Sequence, residues 1–161
     1  AEGQATLAEE VVGHATEGHA TGQNLGLGPA FNLDDPTSID WYSNAFTDLA
    51  FYFGFETSTT KVTGAPQECS WLDENFQSPC GGRALWYGVT WSLLRWLSDQ
   101  FGSTFPGGEQ ELQRSLVDNT LTGFANIANV IGQPIEDLLA KWSAMLYADD
   151  QVPSLTPILG M

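Results

Sequence analysis

Basic residues are scarce in this chain. Its 161 residues include 5 Lys and Arg against 20 Asp and Glu, which gives a formal net charge of −15. A surface of this sign repels phosphate backbones and anionic lipid headgroups. The composition therefore argues against nucleic acid and direct headgroup binding, and it suits an exported protein better than a disordered acidic tail.

Long apolar runs are also missing. A membrane-spanning helix needs about 20 mostly apolar residues, and no run of that kind occurs in the chain. The chain does not open on a basic segment followed by an apolar one, as a signal peptide does. We expect no transmembrane span, and both ends read as cut from a larger protein. The expected location is extracytoplasmic, in the periplasm or outside a bacterial-type cell.

Cysteine is limited to Cys69 and Cys80, which bracket a loop rich in turn formers. The even count and the loop setting favour a disulfide between them, with a stabilisation of roughly 3 kcal/mol from loop entropy. The alternative is two unrelated buried thiols in a cytoplasmic protein. A zinc clip is less favoured, because it requires closer Cys spacing and further ligands.

Apolar residues at helical spacing predict about six helices in one compact, all-α domain over residues 1–161. The first helix carries a stripe made of Ala8, Val11, Val12 and Ala15. A third should run from Arg83 to Phe101, apolar on several sides and therefore central. The apolar faces predicted for the other four comprise Tyr42, Ala45, Phe46, Leu49, Tyr52 and Phe53; then Leu112, Leu116 and Val117; then Phe124, Ile127, Ala128 and Ile131; and finally Ile135, Leu138, Leu139, Trp142, Met145 and Leu146.

Glycine and proline support the predicted boundary between the last two helices. Gly132 is placed to stop the fifth helix, and Pro134 to start the sixth. Residues 56–82, with the cysteine loop, predict a long irregular excursion, apart from a short strand at 59–63.

Three segments resemble the hyicolysin-like gluzincin zinc metallopeptidases of bacterial secreted proteins. Leu7 to His14 resembles their L-x-E-G-x-x-H segment, and residues 83–102 are similar to the Y-G-x-x-x-x-F-L helix that follows it. Residues 122–149 are similar to the closing helices of the family. The H-E-x-x-H helix, which supplies two zinc ligands and the general base, is absent from the sequence.

The resemblance implies two site residues. Glu9 would be the third zinc ligand, and Tyr87 would stabilise an oxyanion near the scissile carbonyl. Helical spacing places Glu9 closer than Glu10 to the centre of the apolar stripe, so we expect Glu9 to face inward and Glu10 to face water. The alternative is two solvated glutamates. The chain departs from the family in having Glu10 where Gly usually follows the ligand.

One glutamate cannot hold catalytic zinc, which takes three protein ligands and a water. A metal site built from Glu9, His14, Glu17 and His19 is an alternative, although five residues separate the two histidines and they do not converge on a continuous helix. The simpler interpretation has His14 bordering a packed face and His19 in a polar loop. Core packing likewise explains the tryptophans better than a sugar platform does.

Two functions fit this pattern. In the favoured one, the chain is a non-catalytic, peptidase-like subunit, structural or accessory, of a larger extracytoplasmic or membrane-associated complex, with protein partners and no cofactor of its own. In the alternative, it is the carboxyl-terminal half of a secreted zinc metallopeptidase whose H-E-x-x-H helix lies outside these residues, and zinc is bound only if that helix exists.

Overall fold

The described part of the chain is helical. A computed structural model of the chain describes residues 2–20, 44–45, 48–49, 52 and 84–148. These residues contain five bounded helices and no strand. The helices are α1 (Glu2–Glu17), α2 (Ala84–Phe101), α3 (Gly108–Val117), α4 (Gly123–Ile131) and α5 (Ile135–Ala148). The mainly helical fold class is confirmed over these residues.

Helical conformation also occurs at residues 44, 45, 48, 49 and 52. Ala45 and Tyr52 are buried there, at 1% and 6% exposure, as the predicted second stripe requires. The bounds of a sixth helix, the strand predicted at 59–63, and Cys69 with Cys80 lie outside the described residues.

The chain groups into two compact units, Ala1–Leu94 and Arg95–Met161. The division falls within α2. In the first unit, α1 lies against the amino-terminal half of α2. The two helices are closest at Gly3, where the Cβ of any other residue would lie 2.6 Å from Thr90 Oγ1. In the second unit, α3 contacts α4 and α4 contacts α5.

The apolar pattern of α2 makes it a core helix. Residues 91–98 are all buried, including the polar Ser92, Arg95 and Ser98. Because a helix buried on every side must satisfy its polar groups internally, Arg95 forms ion pairs with Asp99 at 2.6 Å and with Glu109 of α3 at 2.9 Å. Gln113 of α3 also donates to Ser98 Oγ. These contacts tie the end of α2 to α3.

The residues that end α4 and precede α5 are those predicted from the sequence. Gly132 ends α4 in the left-handed region, with φ of 72°, and its N–H donates to the carbonyl of Ala128 at 2.9 Å. Pro134 directly precedes α5, whose buried face holds Leu138, Trp142 and Met145. The apolar prediction for α3 is right at Leu112 and Leu116 and wrong at Val117, which is 67% exposed.

Candidate functional site

The face of α1 that packs inward is not the predicted stripe. Its buried residues are Gly3, Thr6, Leu7, Glu10, Gly13 and His14, which recur at helical spacing along one side. Ala8, Val12 and Ala15 are exposed, and Val11 is half-buried. The prediction that Glu9 faces inward and Glu10 faces water is therefore wrong.

Small and polar residues on α1 explain this orientation. Gly3 lets the helix approach Thr90 closely, which a residue with a side chain would prevent. Close approach places Glu10 beside α2, where Trp91 presents an indole N–H. The choice of face is thus made by a backbone contact and a hydrogen bond, and neither contributes to a count of apolar residues.

Glu10, His14 and Trp91 form a buried polar group, called here the Glu10 cluster. Trp91 Nε1 donates to Glu10 Oε2 at 2.6 Å, and His14 Nε2 lies 3.6 Å from Glu10 Oε1. The exposed fractions are 3% for Glu10, 1% for His14 and 4% for Trp91. A buried N–H that loses its acceptor costs about 1–3 kcal/mol, so this hydrogen bond links the two helices firmly.

His19, just beyond the end of α1, contacts both His14 and Glu17. The His14 and His19 rings meet edge to face, with centroids 5.9 Å apart. His19 Nε2 lies 3.7 Å from Glu17 Oε2, in a partly exposed position. His14 is more deeply buried than the predicted border position.

A metal site built from Glu9, His14, Glu17 and His19 does not form among the described residues. Glu9 is exposed, while His14 turns inward to Glu10 and His19 lies beside Glu17. Within the described ranges, no three His, Cys, Asp or Glu side chains are grouped in a way that could hold a metal ion. The four side chains of this alternative site point in different directions.

Tyr87, the oxyanion candidate, lies half-buried in the first turns of α2. Its carbonyl accepts a hydrogen bond from Thr90 Oγ1 at 3.3 Å. The next residue, Gly88, packs against the backbone of residues 48–49. The structure thus places Tyr87 beside a tight contact, and its catalytic role stays a prediction.

Burial raises the pKa of Asp48 to about 6, from 3.8. Burial therefore opposes ionisation of this carboxyl in the folded state. The group does not lower the free energy of unfolding below pH 3.8, and it lowers it increasingly as the pH rises toward 6. We expect Asp48→Asn to raise the free energy of unfolding at neutral pH by about 1 kcal/mol, a value reduced for the partial exposure of the group. Urea unfolding at several pH values measures this, and a gain that persists undiminished at pH 3.5 would contradict it.

Two tryptophans of α2 offer a matched comparison. Trp91 and Trp96 are 4% and 3% exposed, but no acceptor among the described residues reaches Trp96 Nε1. Phenylalanine removes the same atoms at both positions, while only Trp91→Phe removes the hydrogen bond to Glu10. We expect Trp91→Phe to cost about 1.5–3 kcal/mol more than Trp96→Phe in urea unfolding followed by far-ultraviolet circular dichroism. Equal costs would show that the Glu10 contact contributes nothing.

Sequence reasoning missed Glu10, although a signal was present. The L-x-E-G-x-x-H motif separates its glutamate from its histidine by four positions, and Glu10 has that separation from His14, whereas Glu9 does not. Residues four apart share one side of a helix. Comparisons with family models, with curated proteins and with solved structures found no match.

Proposed function

We propose that this chain is a non-catalytic, peptidase-like helical module that serves as a structural or accessory subunit of a larger extracytoplasmic or membrane-associated complex. The observation that carries the proposal is the Glu10 cluster. The inward-facing carboxyl group of Glu10 accepts a hydrogen bond from the Trp91 indole at 2.6 Å. In this function Glu10 holds α1 to α2 through this hydrogen bond.

The outer face of α1 supports a contact role. Ala5, Ala8, Val12 and Ala15 form one exposed row along the helix, and Val12 alone is 60% exposed. The excess of acidic residues over the whole chain complements a basic partner surface, because opposite charge accelerates and orients association. None of the helices in the described residues has the length and apolar character to cross a bilayer. A protein partner, with any membrane contact peripheral, is the proposal that follows.

The native protein, purified from the extracytoplasmic fraction of its source under mild conditions, tests this function. We expect an assembly larger than the single chain by light scattering, no zinc by elemental analysis and no cleavage of casein. Val12→Lys should release the chain from the assembly, while Gln110→Lys, at an exposed position of α3, should not. Stoichiometric zinc with chelator-sensitive cleavage would overturn the proposal.

A second candidate function has its own supporting observation. Glu10 and His14 are buried together at the spacing of the L-x-E-G-x-x-H motif. If the chain is the carboxyl-terminal half of a secreted zinc metallopeptidase, Glu10 rather than Glu9 is the third ligand, and the two histidines come from a helix outside these residues. Zinc would then supply an activated water for attack on a peptide carbonyl.

The encoded sequence before Ala1 distinguishes the two functions. An H-E-x-x-H segment there, with zinc that is lost in Glu10→Gln and kept in Glu9→Gln of the longer protein, would establish the peptidase. A long preceding segment without this motif would exclude it.

The finer architecture belongs to the same proposal. We propose six helices in one domain, with a disulfide between Cys69 and Cys80 in an oxidising, extracytoplasmic location. Peptide mapping of the native protein without reductant tests the disulfide directly. Free thiols at both positions would refute it.

A further inference from the structure

A polar cleft lies on the second unit, where α3 meets α4. Its volume is about 350 Å³, which falls in the lower part of the range for small-molecule sites. The walls combine two kinds of residue. Polar groups come from Arg114, Ser115, Asp118 and Asn129, and apolar surface from Phe105.

The charged side chains at this cleft are paired with one another. Arg114 Nη2 lies 2.5 Å from Glu111 Oε1, and its Nη1 lies 3.3 Å from Asp118 Oδ2. The hydrogen bonds from Arg114 lower the pKa of Glu111, which keeps that carboxylate ionised. Because the guanidinium is already paired with two carboxylates, it is not available to bind an anion such as phosphate, and the three groups together carry a net negative charge.

The corner of the cleft is fixed by an amide network. Asn119 Nδ2 donates to the carbonyl of Ser115 at 2.9 Å and also to Asn126 Oδ1, and Asn119 Oδ1 accepts from Leu121 N at 2.6 Å. The buried Asn126 in turn donates to the carbonyl of Leu116 at 2.6 Å. This corner of the cleft is therefore held in place before any ligand arrives, which lowers the entropy cost of binding.

Two side chains in the cleft keep their hydrogen-bonding capacity. Within the described residues, the Ser115 hydroxyl and the Asn129 carboxamide make no side-chain hydrogen bond, and each can both donate and accept. A neutral ligand with many hydroxyls and an apolar C–H face matches these groups together with the Phe105 ring.

We propose that this cleft binds a neutral saccharide. Sugar hydroxyls pair with Ser115 and Asn129, and the C–H face of the ring packs on Phe105. The site is independent of the Glu10 cluster and of the proposed function, and it differs from the tryptophan platform weighed from the sequence, because Trp91, Trp96 and Trp142 are buried in the core.

Nuclear magnetic resonance titration of the full chain tests the site. Glucose, galactose, mannose and N-acetylglucosamine are added separately, with inorganic phosphate as the charged comparison. We expect at least one sugar to shift the Asn129 side-chain amide signal saturably, and phosphate to leave it unchanged. Ser115→Ala and Asn129→Ala should each weaken binding, by up to about tenfold.

Gln110→Ala and Ser143→Ala are the matched controls, since both residues are exposed and lie outside the cleft. Both should bind the sugar as the unaltered chain does, and thermal unfolding checks that all four variants fold. If none of the four sugars gives a saturable shift, or if affinity is unchanged in both cleft variants, the proposal is overturned.

Discussion

Gly88→Ala is expected to destabilise the protein by about 3 kcal/mol or more. An alanine Cβ at this position would lie against the backbone nitrogen of Leu49 and 2.5 Å from the carbonyl carbon of Asp48. Both neighbours are main-chain atoms, so no side-chain rotation relieves the clash, and overpacking of this kind costs about 1–3 kcal/mol or more. In an open helix the same substitution would stabilise by about 1 kcal/mol. A loss of stability would therefore indicate that residues 48–49 contact Gly88, whereas a gain would indicate an open helix surface.

Urea unfolding followed by circular dichroism measures this effect, and Gly132→Ala is the control. An added Cβ at Gly132 meets no atom within 4 Å, but the residue has φ of 72°. Its substitution should cost only about 1 kcal/mol, the penalty of the left-handed conformation. A stabilised Gly88→Ala variant would contradict the close approach of residues 48–49 to α2.

Glu10→Ala is expected to cost about 2–4 kcal/mol, whereas Glu9→Ala should stay within about 0.5 kcal/mol of the unaltered chain. The Glu10 change leaves the Trp91 indole N–H buried without its acceptor and opens a cavity beside His14. Glu9 is exposed, about 100° around α1 from Glu10. The two substitutions are chemically identical and adjacent, so only the direction of the side chain distinguishes them.

The same unfolding assay compares the pair, and Glu10→Gln separates charge from shape. The glutamine carbonyl can still accept from Trp91, so its cost should fall between the other two. If Glu9→Ala costs as much as Glu10→Ala, the orientation of α1 described above is wrong.

Helix positions were predictable wherever local chemistry and burial agree. The sequence predicts α2 within one residue of its observed start, and Gly132 and Pro134 mark the boundary between α4 and α5. Leu112, Leu138 and Trp142 lie on the faces that helical spacing assigns to them. At these three positions the apolar pattern alone predicts which side of the helix is buried.

The orientation of α1 could not be found in that way, because two of its sides compete. Ala8, Val12 and Ala15 form one apolar row, while the packed side mixes Leu7 with Gly3, Glu10 and His14. The orientation of α1 is determined by α2, which offers space at Thr90 for close approach and the indole N–H of Trp91 as a hydrogen-bond donor. The residues responsible are 81 positions apart, from Glu10 to Trp91, and no local pattern joins them.

The Glu10 cluster also specifies which way α1 is rotated. A turn of the helix about its own axis that brought Val12 inward would also expose Leu7, so the buried aliphatic area would change little. It would also take Glu10 away from Trp91 and leave a buried indole N–H without an acceptor. The cluster thus separates two rotational isomers of one helix pair that differ little in apolar burial. Replacing Glu10 and His14 with leucine would weaken this discrimination while adding apolar surface, so a tighter core in this protein would come with a less unique fold.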